Sequence, residues 1–458
     1  MVWQGKISAN IHGTFRWLGT LVICISLSLL PQRTSAQQQM PTQPTPPVLT
    51  LEESIQLALD RNLEVQLAKE EVRFALEQKN EARTGFLPKF SVDYRYRRPS
   101  ETETTIGGVT FQNVDRNQFA LTGTAQQPIF TGLETLSTYQ LSKMGLDVAK
   151  IQLQRTRLDL ILAVKQAYFE ILRAEKISQV EKQSVLQLQE GVRVAKNFVQ
   201  VGMRPKVDVL DAETRLGESE LALIVAMNDT GVAKARFNTV LRQPIDAPVA
   251  VVDVLTTQPY KKSYESTQKI ALQHRPELLE ANKNVNIAEK EVTLVQSDYY
   301  PDIDLSVNYF RRGDDPTVNG SAVTDRESWD IVAAARWTFF EWGKTRYATN
   351  QQRTRLRQSK ETREQIKDGI LLEVKTAFLA AQAAKEGIRV AAKSVESAEE
   401  NFRISQERYK EQVATATETL DAQTRLTRAR TNYTNALVIS NLARAALVRA
   451  MGLEYEPN

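Results

Sequence analysis

LDAETRL at residues 210–216 returns as LDAQTRL at residues 420–426. The offset is 210, and it holds upstream, where Leu162, Val164, Lys165 and Ala167 reappear as Leu372, Val374, Lys375 and Ala377. Nearer the N-terminus the offset is 213, pairing Ala58 with Ala271, Glu64 with Glu277, Val72 with Val285, Pro88 with Pro301 and Tyr96 with Tyr309. The slip of three residues falls in the loop-like stretch between paired strands. Self-similarity at this scale means a structural unit written twice. The 458 residues are therefore read as two tandem repeats in one continuous architecture, not as the separate domains that length alone suggests.

The repeats span 51–242 and 263–453, joined by a linker at 243–262 that carries Pro244, Pro248 and Pro259. A Pro-rich leader at 37–50 precedes them and a short tail, 454–458, follows. Each repeat reads helix, two strands, very long helix, turn, second helix. The long helices, about 132–199 and 343–409, contain no proline. The first carries a recurring apolar stripe that includes Leu158, Ile161, Leu162, Tyr168, Phe169 and Leu172. At 1.5 Å per residue such a helix is a rod of about 100 Å, which calls for coiled-coil packing along its length. The second is rich in small residues such as Ala377, Ala380, Ala381, Ala384 and Ala391, which let neighbouring helices approach closely.

Four segments alternate with period two, at about 88–98, 117–127, 301–311 and 329–339. Their apolar faces are Phe90, Val92, Tyr94 and Tyr96; Phe119, Leu121, Gly123 and Ala125; Ile303, Leu305, Val307 and Tyr309; and Trp329, Ile331, Ala333, Ala335, Trp337 and Phe339. Their length suits a tilted transmembrane strand, with aromatics near the ends as at a membrane interface. A soluble antiparallel sheet would alternate in the same way. Yet the loops Pro99–Arg116 and Arg311–Ser328 are polar, and no second sheet follows to cover the apolar face. Lipid is the remaining cover. Four strands cannot close, and open edges are not tolerated in lipid, so the chain is expected to oligomerise, with two, three or more copies permitted.

Residues 1–36 read as a secretory signal peptide: Lys6 and Arg16, an apolar stretch from Trp17 to Leu30, then Thr34-Ser35-Ala36 as a cleavage site. Cys24 follows Leu21-Val22-Ile23, without the small residues of a lipoprotein box, so no lipid anchor is expected. Cleavage removes Lys6, Arg16 and Arg33 but no acidic residue, taking the net charge from +4 to +1. A near-neutral chain is no electrostatic candidate for nucleic acid. The sole cysteine leaves with the signal, and His274 remains as the sole histidine, which argues against thiol or triad catalysis and against Cys/His metal sites. No enzyme activity, cofactor or metal is expected.

The turn between the first long helix and its partner reads VGMRPKVDVLDAETRL, residues 201–216. Gly202 suits a left-handed helix C-cap and Pro205 a helix start. Asp208 and Asp211 fall on one face of the new helix, where helix-dipole stabilisation alone would also favour them. This stretch resembles the helix–turn–helix signature of TolC-type outer-membrane efflux proteins. LTLEESIQLALDRNLEVQLAKEEV, GFLPKFSVDYRYR and QQPIFTGLET resemble other recurring segments of that family, and the likeness spans residues 48–453.

The resemblance implies a mainly α protein with membrane β: a homotrimer whose three sets of four strands make a 12-stranded barrel, continuous with a periplasmic α-helical barrel. It implies the exit duct of a tripartite efflux or type I secretion system in a Gram-negative-type outer membrane. The partners would be outer-membrane lipid, a periplasmic adaptor, and an inner-membrane efflux pump or ABC transporter. The family's adaptor-docking turn matches Val201, Gly202, Met203 and Arg204. Its acidic aperture matches Glu418 and Asp421, and its aperture tyrosine matches Tyr409, with Asp208 and Asp211 as secondary candidates. Two departures stand out: the second turn, Glu411-Gln412-Val413-Ala414, has no glycine, and the tethering arginine of the family is Ala414 here. A trimeric adhesin or structural coiled coil is the alternative. It predicts an uninterrupted rod, whereas this chain carries a strand pair in each half.

Overall fold

The computed structural model describes residues 48–100, 103–112, 115–257 and 260–455. The expected signal peptide, with Cys24 and the cleavage site, and most of the Pro-rich leader lie outside these residues. The described chain runs β1 (Val48–Leu49), α1 (Leu51–Arg61), α2 (Leu63–Thr84), β2 (Lys89–Arg97), β3 (Glu103–Ile106), β4 (Val109–Gln112), β5 (Gln118–Thr131), α3 (Glu134–Gln200) and α4 (Lys206–Val240). The second half runs β6 (Ala250–Val251), α5 (Tyr264–His274), α6 (Pro276–Gln296), β7 (Asp302–Gly313), β8 (Glu327–Arg336), α7 (Lys344–Lys410) and α8 (Ala416–Ala450). The paired helices agree in length: 67 residues in α3 and α7, 35 in α4 and α8.

Each repeat opens with two short helices where one was expected. In the first, Thr50 and Glu53 form a capping box that starts α1. The chain then leaves helical geometry at Asn62, whose side chain accepts from the Glu64 backbone N–H at 2.8 Å and so starts α2. In the second repeat the break is at Arg275, held extended because Pro276 follows it.

The four long strands form one antiparallel sheet in the order β2-β5-β7-β8. Its register unites the four apolar faces. Phe90, Val92, Tyr94 and Tyr96 stand opposite Ala125, Gly123, Leu121 and Phe119. Gly123 and Ala125 face Tyr309 and Val307, which in turn face Trp329 and Ile331. The other face carries a polar row in which Ser91 pairs with Thr124, Thr124 bonds Asn308 at 2.9 Å, and Asn308 donates to Asp330 at 2.7 Å. The apolar face is open to its surroundings, with Phe90 78% and Trp329 72% exposed.

Three expectations about the strands are corrected. β8 stops at Arg336, so Trp337 and Phe339 lie outside it: Arg336 pairs with Asp302, the first residue of β7, and Pro301 before it offers no N–H to extend the ladder. β5 runs on to Thr131 because Phe130 and Thr131 pair with Ile303 and Asp302 after a bulge at Ile129. The loop after β2 holds a small hairpin, β3 with β4, whose turn residues Gly107 and Gly108 both have positive φ.

The helices pack as two hairpins, α3 with α4 and α7 with α8, joined chiefly along α3 and α8. Tyr168 anchors the main core together with Ile55, Ala58, Val164, Ile171, Phe237 and Leu241. Its hydroxyl lies 3.1 Å from the Leu49 carbonyl and donates to that of Val252 at 2.7 Å, fixing the parallel pair that β1 makes with β6. Burial pushes that phenol up to about 12. A second anchor is ionic. Arg275 and Arg449, both buried, converge on Glu277 at 2.7 Å each, and Arg449 also bonds Asp159 at 2.6 Å. Arg275 further pairs with Glu373 and donates to the Ala450 carbonyl, so the end of α8 is held against the α5–α6 break.

Candidate functional site

The two hairpin turns lie side by side. In the first, Met203 N–H donates to the Phe198 carbonyl at 2.9 Å and Gly202 N–H to Val199 at 3.0 Å, with Gly202 at φ 73°. This is the six-to-one and five-to-two pattern that closes a helix over a left-handed residue. The second turn repeats it: Val413 N–H bonds Arg408 at 2.9 Å, Gln412 N–H bonds Tyr409 at 3.0 Å, and Gln412 sits at φ 62°. Glycine is absent from the second turn, yet the backbone is the same.

Val201, Gly202 and Met203 are exposed at the tip. Arg204 instead reaches sideways. Its Nη2 donates to the Ala414 carbonyl at 2.5 Å, and its guanidinium carbon lies 5.2 Å from the centre of the Tyr409 ring. Tyr409 is buried between that cation and Phe198, whose ring it meets edge-on at 5.7 Å. Gln412 Nε2 completes the link, 3.2 Å from Met203 Sδ. Position 414 lacks an arginine, but the Arg204 guanidinium of the first turn lies against its carbonyl, a contact that the local sequence does not reveal.

Asp208 and Asp211, expected on one face, are separated. Residues three apart on a helix differ by about 60° in azimuth, and here that divides inside from outside. The Asp208 carboxylate is turned inward, with Oδ2 buried, while Asp211 is exposed. The Tyr409 hydroxyl is also buried, and neither it nor Asp208 Oδ2 has a hydrogen-bond partner among the described residues. Burial, and then the negative charge of Asp208, push the Tyr409 pKa up, with Arg204 opposing. Glu418 and Asp421 occupy the start of α8. Glu418 lies 3.8 Å from Arg408, and Asp421 lies 3.6 Å from Arg215 of α4. The expected aperture residues therefore cluster at one end of the helices, and Glu418 and Asp421 each have a cation within reach.

The family described as outer membrane efflux protein matches residues 54–241 and 268–453, the two repeats. Outer membrane efflux protein BepC of Brucella suis biovar 1 (strain 1330) is 21% identical over 344 residues, covering 74% of this chain and 71% of that protein. Among solved structures, CusC superimposes with a TM-score of 0.77 at 16% identity, covering 88% of this chain and 92% of its own. The Campylobacter jejuni CmeC outer membrane channel gives 0.76 at 18% identity, with 88% and 85% covered. The open state of the Neisseria gonorrhoeae MtrE outer membrane channel gives 0.73 at 18%, with 88% and 89% covered.

Proposed function

The chain belongs to the outer membrane efflux protein family, and from that premise we propose that three copies assemble into a passive exit duct across the outer membrane and periplasm. One observation carries the reading: the sheet has a continuous apolar face and two unpaired edges, β2 and β8, and its strands run directly into 67-residue helices. A sheet of this kind is stable in lipid only when closed. Joining β8 of one copy to β2 of the next closes it without altering any chain's register. The periplasmic surfaces support the same arrangement. Leu221, Ile224 and Met227 on α4, and Leu372, Leu379 and Val390 on α7, are large, apolar and exposed in the single chain. Ala380 and Ala383 on the open side of α7 leave room for a neighbouring helix.

In this duct the turns form the periplasmic end. Val201, Gly202 and Met203 meet a periplasmic adaptor, which connects the duct to an inner-membrane efflux pump or ABC transporter. Tyr409, Glu418 and Asp421, with Asp208 behind them, surround the narrowed aperture. The conduit has no catalytic step, and energy comes from the pump.

The test is a cysteine pair at the free edges, Val92→Cys with Ile331→Cys, in a mature chain with no other cysteine. Oxidation in membranes should give a covalent ladder ending at a trimer, and the detergent-extracted protein should have a trimer's mass. A stable monomer with no intermolecular cross-link would overturn the closed-duct reading.

A further inference from the structure

Just inside the two turns lies a cavity of about 120 Å³ whose walls come from both hairpins. Leu188 and Val194 of α3, Phe402 of α7 and Leu420 of α8 supply apolar walls. Gly191 lines the cavity too. A Cβ there would meet nothing within 4 Å, and the second repeat carries Asn401 at the corresponding position. Glycine inside a helix is destabilising relative to alanine, and a larger side chain at this position has room to extend into the cavity.

Two lining residues are nearly sealed from solvent yet incompletely satisfied. Gln423, 3% exposed, donates from Nε2 to Gln187 Oε1 at 2.6 Å, while its own Oε1 is buried without a partner among the described residues. Tyr409, 6% exposed, leaves its hydroxyl in the same condition. Buried polar groups without partners are costly, and a guest carrying a hydroxyl could serve Gln423 after a small rotation of its carboxamide. The charged lining residues, Glu190 and Lys410, are exposed and opposite in sign, so they favour no net charge on a guest. An apolar protein cavity of about 150 Å³ accepts benzene, and this one is of similar size.

We propose that the cavity is a binding site for a small neutral aromatic alcohol of phenol's dimensions, held jointly by the two hairpins. The aromatic ring fills the space beside Gly191, and the hydroxyl pairs with Gln423. Because an occupant touches both hairpins, binding stabilises their association. None of this depends on the chain acting as a duct.

The experiment uses the full-length, detergent-purified protein and 4-fluorophenol as the probe, observed by fluorine NMR. Wild type should bind saturably and unfold at a higher temperature when the probe is present. Gly191→Leu should remain folded and bind at least about tenfold more weakly, because leucine occupies the space, while partition of the probe into detergent is unchanged. Val194→Phe fills the cavity from the next turn and guards against a folding defect in the first variant. Gln423→Met should lose the preference for 4-fluorophenol over 4-fluorotoluene that wild type shows. Absence of saturable binding to wild type, or binding that survives in either folded filled-cavity variant, would overturn the proposal.

Discussion

Arg204 donates a hydrogen bond to the carbonyl of Ala414, the residue that stands at its own position in the second repeat. The first turn therefore grips its counterpart, and the guanidinium that does so also covers the Tyr409 ring. A planar, permanently charged group can serve both contacts at once, whereas a lysine ammonium is a single point of charge. If these contacts hold the periplasmic end narrow, Arg204→Ala should raise single-channel conductance in planar bilayers severalfold, and Arg204→Lys should fall between. Conductance equal to wild type in both variants would show that the link between turns does not control the aperture.

Gly202 and Gln412 occupy the same left-handed backbone position, and only one of them is suited to it. A residue with a Cβ is strained there by roughly 1 kcal/mol. Gln412→Gly should accordingly stabilise the protein by about 1 kcal/mol, read as a higher midpoint in thermal unfolding. Gly202→Val introduces the strain at the exposed tip instead. It should abolish export by cells while trimer formation stays normal. Export that survives this change together with Met203→Ala would exclude the first turn as the adaptor contact.

The long helices and the strand faces were legible because proline-free length and period-two alternation are local properties, and the repeat allowed each to be read twice. The break at Arg275 had a signal in Pro276, and the β3–β4 hairpin had one in Gly107-Gly108. The break at Asn62 had only a helix-capping residue, and it gained meaning through the matching break 213 residues later. The contact between Arg204 and Ala414 left no local trace. Its partners are 210 residues apart and meet because the two hairpins lie side by side, and the accepting group is a backbone carbonyl that any side chain would permit. The inward turn of Asp208 was hidden for a similar reason: spacing places it near Asp211, but only the neighbouring hairpin decides which of them is buried.

Glu277 ties the two buried arginines, and its titration should be visible in stability. Burial alone would push its carboxyl up, but the hydrogen bond from Arg449 and the charges of Arg275 and Arg449 hold it below its ordinary value of 4.5. A carboxyl depressed in the folded protein binds a proton less readily there than in the unfolded chain. Its contribution is complete above that ordinary value and is lost as pH falls through the folded one. The thermal midpoint should therefore drop as pH is lowered below 4.5, and Glu277→Gln should flatten that part of the profile. At neutral pH the same variant leaves buried guanidinium charge undercompensated and should cost about 3 kcal/mol. An unchanged midpoint at neutral pH would mean that Asp159 and Glu373 suffice.

Glu418 and Asp421 admit two roles, and the structure sharpens the means of separating them. As a first-turn residue of α8, Glu418 favours the helix dipole whatever the protein does, by about 0.3–1 kcal/mol, and Asp421 follows one turn further in. As aperture residues, they would meet their copies around the axis of a trimer, where crowded like charges repel and a multivalent cation would bind and obstruct the pore. Each already has a partial counter-charge within its own chain, Arg408 for Glu418 and Arg215 for Asp421. The ring is therefore less negative than its carboxylates alone imply, and removing an arginine should strengthen cation block. In bilayers, a trivalent cation added from the periplasmic side should block wild type, and Arg215→Gln should be blocked at lower concentration. Glu418→Gln with Asp421→Asn should lose most of the block while remaining trimeric. Asp208→Asn with Asp211→Asn supplies the control, since Asp208 is turned toward Tyr409 and only Asp211 is free to meet an ion. If this pair governs the block and the α8 pair does not, the first repeat lines the aperture. If neither pair alters it and only stability changes, the helix-dipole role is the whole account of these carboxylates.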